Sequence, residues 1–314
     1  MGSRLTGFGQ QAAAPCGGDG GLTDGRVAVN HHSSEGPPDR AGWQIPAVRV
    51  PHLFDRYDPE QGDGVSVTLD ADSSIVILAV HGSWGVPLRR DTHVAIRKCL
   101  SEHPGALIID LQDVQDPYAT SVSLWFTVRR AGAGMDPPVE VAVCAPAETA
   151  IVDRLRRLGS ARFLPVYPSV AQACAAVTER RPLTELIKMR LSADPWSAAR
   201  VRARVTEACA AWDFSELADR ARLVVSELVA NAVQHAAPPI TVFVSRRGDG
   251  LHLAVRDGDP RLPHRIDVPS ARSGSLPSRG LGLAAVHAAA SVWGAMPTTG
   301  GKAVWATIRP SARR

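Results

Sequence analysis

The feature that most constrains this chain is a rhythm that begins at Val65. Short runs of β-branched and aliphatic residues, "VSVTL", "SIVILAVHG", "ALIIDL" and "VEVAVCA", are separated by stretches whose apolar residues recur every three or four positions. Those stretches are "DTHVAIRKCLSEH", "ATSVSLWFTVRRAG" and "ETAIVDRLRRLG". The runs have the length and composition of buried strands, and the stretches between them have the period of helices with one wet face. "RFLPVY" and "SVAQACAAVTER" continue the series as a short strand and a helix. Strands alternating with helices of this length imply a mostly parallel or mixed sheet with helices packed on it, an α/β layer.

After residue 180 the texture changes. "RRPLTELIKMRL", Arg180 to Leu191, reads as a linker or a first strand. "DPWSAARVRARVTEACAAW" reads as a helix capped by Asp194, with Pro195 at its first position. A second helix is expected from about Leu217, followed by a hairpin, "ITVFVSRRGDGLHLAVRD", turning at Gly248, Asp249 and Gly250. "GLGLAAVHAAASVWG" reads as a helix and "KAVWATIRP" as a last strand. Helices that precede and interrupt an antiparallel hairpin predict an α+β sandwich. Residues 1–62, rich in Gly, Pro, Ser, Asp and Gln, read as a disordered tail. The exception in that tail is "WQIPAVRVPHLF", Trp43 to Phe54, which can dock on a folded neighbour. The expected division is a tail at 1–62, an α/β domain at 63–180 and an α+β domain at 186–311.

Composition narrows the function classes. The apolar fraction of 45% suits a globular protein with real cores. The five cysteines, Cys16, Cys99, Cys144, Cys174 and Cys209, form no C-x-x-C pair, so reduced thiols and a cytoplasmic protein are expected. A net charge of +4 suggests nucleic acid only if the basic residues cluster, and here the arginines are scattered. No apolar run reaches the roughly 18 residues that span a bilayer, so no membrane partner is expected. The opening "MGSRLT" fits the loose myristoylation pattern without a polybasic second signal.

One helix carries an unusual stripe. In "SELVANAVQHA", Ser226 to Ala236, the polar residues Glu227, Asn231 and His235 recur at intervals of four and so lie on one face. Leu228, Val229, Ala232, Val233 and Ala236 form the opposite arc, expected to be buried. Two further features follow in order: Asp257 closing a strand in "VRDGDPR", and "SRGLGLAAV" from Ser278 to Val286.

In that order, these segments resemble the GHKL (Bergerat-fold) ATPases, and most closely their anti-sigma-factor serine/threonine kinases, over about Leu186 to Pro310. "VVSELVANAVQHA" is similar to the family's N box, "LAVRDGDPR" and "SRGLGLAAVHAAA" to its two glycine-region boxes, and "GGKAVWATI" to its closing strand. The resemblance implies ATP and magnesium as cofactors. It makes Asn231 the metal's side-chain ligand, since magnesium prefers hard oxygen donors, and Glu227 the catalytic base for an attacking hydroxyl. His235 reaches phosphate or borders the pocket. Asp257, with Gly258 beside it, accepts from the adenine amine. The family's D-x-G-x-G is replaced here by Asp257, Gly258, Asp259, Pro260 and Arg261, two glycines short. Gly280, Leu281 and Gly282 open a helix whose amides face phosphate, with Arg279 adding a charge-assisted contact and Lys302 a further phosphate candidate.

Residues 65 to about 178 resemble a STAS domain, the fold of anti-sigma-factor antagonists, through "VILAVHGSW", "GALIIDLQDV" and "RFLPVYPSVAQACAAV". The resemblance places a phosphoacceptor at Thr120, with Ser121 as the neighbouring alternative. The expected function is therefore a partner-switching serine/threonine protein kinase with a fused STAS-like regulatory or acceptor unit, acting on a sigma factor or a STAS-type antagonist. A homodimer is a further expected partner state. The alternative is a non-catalytic module that sequesters a sigma factor or antagonist under nucleotide control. The alternating elements before the ATP unit do not read as the two-helix dimerisation element of a histidine kinase.

Overall fold

The computed structural model describes residues 51–54, 62–159, 162–180, 186–192, 196–235, 239–263 and 281–310, and for His235 and Leu281 the backbone only. No helix among them is long and apolar enough to cross a membrane. In chain order the strands are β1 (His52–Leu53), β2 (Gly64–Asp70), β3 (Ile75–Ser83), β4 (Ala106–Gln115), β5 (Glu140–Cys144), β6 (Val166–Tyr167), β7 (Leu186–Leu191), β8 (Ile240–Arg247), β9 (Gly250–Asp257), β10 (Val292–Thr298) and β11 (Gly301–Ile308). The helices are α1 (Val86–Glu102), α2 (Val122–Ala133), α3 (Ala150–Arg157), α4 (Val170–Arg180), α5 (Ser197–Ala211), α6 (Ala218–His235) and α7 (Leu281–Ala289).

The strands of both halves join one sheet, in the order β6-β5-β4-β3-β2-β10-β11-β9-β8-β7, with β1 added beside β10. In the first half β3, β4, β5 and β6 run parallel, with β2 antiparallel to β3. This is the α/β layer expected from the sequence. In the second half β7, β8, β9, β11 and β10 form an antiparallel series with α5, α6 and α7 packed on it, the expected α+β sandwich. The two meet where Thr298 of β10 pairs with Leu69 of β2.

Two elements depart from the reading of the sequence, and a third settles an alternative it left open. "SVWG" does not continue α7, which ends at Ala289; Val292, Trp293 and Gly294 already belong to β10, along which β1 pairs in parallel. An alanine-rich run carries no signal for the switch, and the β-branched and aromatic residues after it decide for strand. "IKMRL" is a strand, pairing with β8 through the whole of β7. Helix α1 starts at Val86, before the expected Asp91, because Pro87 supplies a φ suited to a first turn. Asp194 and Pro195, expected to open α5, lie outside the described residues. Within "WQIPAVRVPHLF", residues 51–54 dock as expected, with Phe54 buried.

Alternation along β8, β9 and β11 sends neighbouring side chains to two different cores. Val242, Val244, Leu251, Leu253, Val255, Val304, Ala306 and Ile308 pack under α5, α6 and α7 with Val201, Val205, Val224 and Leu228. Phe243, Ala254, Ala303 and Trp305, with Met296 of β10, instead join the core of the first half, beside Ile96 and Leu100 of α1. The second sheet face, which a two-layer sandwich would leave wet, is therefore covered by the chain's own first half. Polar contacts follow the same seam. Arg247 Nε donates to the His103 carbonyl at 3.0 Å, and Arg256 Nη1 donates to Asp72 Oδ2 at 3.1 Å. Lys188 pairs with the same Asp72. His252 Nε2 lies 3.4 Å from Glu102 Oε1 in a buried position. Burial pushes the His252 imidazole well below its ordinary pKa and His103 down to about 4, so both are neutral near pH 7.

Candidate functional site

Helix α6 buries Val224, Val225, Leu228, Val229 and Ala232 against the sheet and turns Glu227 and Asn231 to a half-buried position. Val233, expected in the buried arc, is 38% exposed. Four residues overshoot a helical turn by about 40°, which carries it round from Val229 and away from the sheet. Ala236 and the His235 side chain lie outside the described residues.

Helix α7 brings the second component. Gly282 lies in its first turn, and a Cβ built there would stand 2.7 Å from Glu227 Oε2 and 3.7 Å from Asn231 Oδ1. The Glu227 carboxylate occupies the space a side chain would need, while the Asn231 amide stands at ordinary contact distance. Arg220, two turns before Glu227 on α6, holds this arrangement together. Its Nε donates to the Ala289 carbonyl at the end of α7 at 2.9 Å, and its Nη1 donates to the Arg309 carbonyl after β11 at 2.8 Å. A guanidinium on the last carbonyls of a helix satisfies acceptors that the helix itself leaves open. Arg279 and Gly280 lie outside the described residues, and Leu281 is placed by its backbone as the first residue of α7.

Asp257 ends β9 on the face that looks toward α6, in phase with Leu251, Leu253 and Val255, while its neighbour Arg256 points to the first half. Its side chain is 2% exposed. Lys302 stands directly across the ladder on β11, and its Nζ donates to Asp257 Oδ1 at 3.0 Å and to the Asp259 carbonyl at 3.1 Å. The amide of Asp259 donates to the same Oδ1 at 2.9 Å. Among the described residues no hydrogen bond ends on Asp257 Oδ2. Burial raises the Asp257 pKa and the Lys302 ammonium works against that rise. Gly301 permits the approach of the two strands: a Cβ there would fall 1.9 Å from the Asp257 carbonyl oxygen.

The two glycines missing after Asp257 are replaced by side-chain turns. Asp257 Oδ1 accepts from the amide two residues on, and Asp259 Oδ1 accepts from the Arg261 amide at 3.0 Å, repeating the pattern. Aspartate is suited to such turns because its short carboxylate reaches its own backbone two residues on. The Arg261 side chain, bonded to Asp259, is the main reason the Asp259 carboxyl lies below the usual carboxylate range. Gly258 between them is half-exposed. Lys302, which the sequence offers to phosphate, is engaged with this turn instead. Its role was hidden because a lysine's partner across a ladder depends on strand register, which the sequence leaves open.

In the first half, Thr120 and Ser121 precede α2. The Asp116 carboxylate accepts from the Thr120 amide at 2.9 Å and the Ser121 amide at 2.8 Å, so it fixes the turn that leads into the helix. Thr120 is exposed and its hydroxyl donates to Asp116 Oδ1 at 3.1 Å. Ser121 is buried, and its Oγ accepts from Trp125 Nε1 at 3.0 Å. Of the two candidate acceptors, only Thr120 is open to an enzyme.

Among the described residues no group of His, Cys, Asp or Glu side chains could by itself hold a metal ion. The donor set beside Gly282 is of another kind, one amide oxygen and one carboxylate. It fits magnesium carried in by phosphates rather than a protein-caged ion.

Residues 191–308 match the family model of the histidine kinase-like ATPase domain. The match takes in β8 to β11, α5, α6 and α7, and with them Glu227, Asn231, Asp257, Gly282 and Lys302. Among solved structures, the crystal structure of an anti-sigma factor antagonist from Mycobacterium paratuberculosis is similar at 20% identity and a TM-score of 0.31, over 36% of this chain and 94% of that one. No curated protein matches the chain.

Proposed function

We propose that the chain is an ATP-dependent serine/threonine protein kinase of the anti-sigma-factor type, working in a partner-switching system. Residues 186–311 are the nucleotide domain in this reading, and 63–180 a STAS-like domain that regulates it or accepts phosphate. The observation that carries it is the convergence on Gly282 of Glu227 Oε2 and Asn231 Oδ1. Asp257 on the same sheet face offers an open carboxylate oxygen. In the proposed site Asn231 Oδ1 holds the magnesium ion of the nucleotide, and Glu227 takes the proton of an incoming hydroxyl. The ion, when bound, neutralises phosphate charge. Asp257 Oδ2 accepts from the exocyclic amine of adenine. His235, Gly258, Arg279, Gly280 and Leu281 belong to the same proposed site by their places beside these residues in sequence.

The substrate class is a serine or threonine hydroxyl at a helix start of a STAS-type partner, with the chain's own Thr120 as an internal candidate. A sigma factor or an antagonist protein in the cytoplasm is the proposed partner. The test is incubation of the full chain with γ-labelled ATP and magnesium, alone and with STAS-type antagonists. Label is expected on the antagonist or on Thr120, and Glu227→Gln is expected to lower transfer by about 100-fold or more while ADP still binds. Transfer undiminished in Glu227→Gln removes that residue as the base. Nucleotide binding without any transfer favours the sequestering module, and absence of nucleotide binding ends the whole reading.

A further inference from the structure

We propose that Lys302 is a positioning residue of the nucleotide site, a cross-strand clamp that fixes Asp257 and the turn after it so that Asp257 Oδ2 alone is turned to the base. The inference rests on the reading of Asp257 as the purine acceptor and adds a residue to it. Three observations carry it.

The first is connectivity. Lys302 Nζ reaches three oxygens: Asp257 Oδ1 at 3.0 Å, the Asp259 carbonyl at 3.1 Å and Asp259 Oδ2 at 3.4 Å. Of the ammonium's three donors, two are taken by hydrogen bonds and the third faces the Asp259 carboxylate in an ion pair. Lys302 therefore has none left for phosphate or for the base itself. Its action on a ligand passes through Asp257.

The second is asymmetry. Both hydrogen bonds that the surroundings make to the Asp257 carboxylate, from Lys302 and from the Asp259 amide, end on Oδ1. A carboxylate held by one oxygen cannot rotate, so the other keeps a single direction. Geometry fixed in advance spares a ligand the ordering cost it would otherwise meet on binding.

The third is the surroundings. Lys302 is 8% exposed and Asp257 4% exposed, so the pair lies inside the fold rather than at its solvated edge. A turn with Asp259 and Arg261 in place of glycines and Pro260 between them has little backbone freedom with which to close over a base. The ammonium, bonded to both ends of that turn, takes over its shaping. The charged groups that bear on Asp257 are Lys302 from β11 and Asp259, itself bonded to Arg261, from the turn. On this side α6 contributes Glu227, and β8 contributes the uncharged Ile240, while Thr241 pairs with Arg256 on the other face. Lys302 is thus the cation that offsets the burial of Asp257. Without it the carboxyl takes up a proton at higher pH, and a protonated carboxyl is the poorer acceptor for an amine.

The experiment uses the full chain and calorimetric titration with ADP and magnesium between pH 5.5 and 8, for wild type, Lys302→Met and Lys302→Arg, with thermal melts to confirm folding. Lys302→Met is expected to weaken ADP binding by about tenfold or more at pH 7.5, as loss of a buried charged partner does elsewhere. Its acid-side loss of affinity is expected to begin at higher pH than in wild type. Lys302→Arg keeps the charge and is expected to restore the wild-type pH profile and part of the affinity. A folded Lys302→Met that binds as wild type does, or more tightly, overturns the clamp. So does weaker binding with an unmoved pH profile and no rescue by arginine, the signature of a merely structural lysine. If wild type itself takes up no ADP, the purine reading of Asp257 falls and the clamp falls with it, an outcome distinct from a failure of Lys302 alone.

Discussion

At the scale of single residues, the site is defined less by which groups are present than by what keeps them apart from one another. Gly282 leaves room for Glu227 and Asn231 to share one small space, with Glu227 Oε2 at 2.7 Å from where its Cβ would be. Gly282→Ala should therefore separate function from stability. The obstructing atom is the tip of a flexible side chain, so the fold adjusts by turning Glu227 away, and alanine inside a helix gains up to about 1 kcal/mol over glycine. The expected outcome is an unchanged or slightly raised melting temperature with phosphoryl transfer lowered about tenfold or more, read by thermal melts and γ-label transfer on the same preparation. An intact transfer rate would mean that Glu227 does its work elsewhere. The stripe of Glu227 and Asn231 was legible in the sequence because four-residue spacing on a helix is a local property. The Asp116 contacts in the turn before α2 and the Lys302 contact with Asp257 were not, since one spans an irregular loop and the other depends on ladder register.

At the scale of elements, β11 is buried along its whole length, and its side chains serve two cores in strict alternation. Lys302, Val304 and Ala306 look toward α6 and the candidate site, whereas Ala303 and Trp305 look toward the first half. Trp305 is fully buried, stacked between His52 at 6.2 Å and His252 at 5.9 Å. Trp305→Ala is thus expected to cost about 3–5 kcal/mol in denaturant unfolding, the usual range for removing a buried tryptophan. ADP affinity measured well below the melting temperature should change less than threefold, because the site lies on the other face. A loss of affinity in step with stability would show that the faces are not independent. The elements were mostly visible in the pattern of "KAVWATI" and its neighbours. What the pattern hid was β10, masked by the alanines before it, and the double burial: a strand apolar on both faces reads the same whether its second face meets solvent, a partner or its own chain.

At the scale of the whole molecule, the question is whether the nucleotide part stands without what precedes it. The expectation of a separable ATP domain follows from the sequence boundaries, but the packing makes the first half the cover of a sheet face. Phe243, Met296 and Trp305, with 4%, 0% and 0% exposure, are buried in a core that also contains Ile96, Leu100 and Val76. Exposing three such side chains forfeits roughly 5–9 kcal/mol at about 1.5–3 kcal/mol each. That is most of the roughly 5–15 kcal/mol by which a domain is ordinarily stable. The seam contacts Arg247–His103, Arg256–Asp72 and Lys188–Asp72 would be lost as well. A chain beginning at residue 186 is accordingly expected to lose its cooperative thermal transition or to associate through the bared sheet, as read by calorimetry and sedimentation. Adding residues 42–180 back as a separate chain should restore a cooperative melt if the seam supplies the missing stability. A truncated chain that melts cooperatively as a monomer and binds ADP as the full chain does would show that the cover is dispensable. In that case the first half is a tethered neighbour, and its influence on transfer must act through Thr120 or through a partner rather than through the sheet.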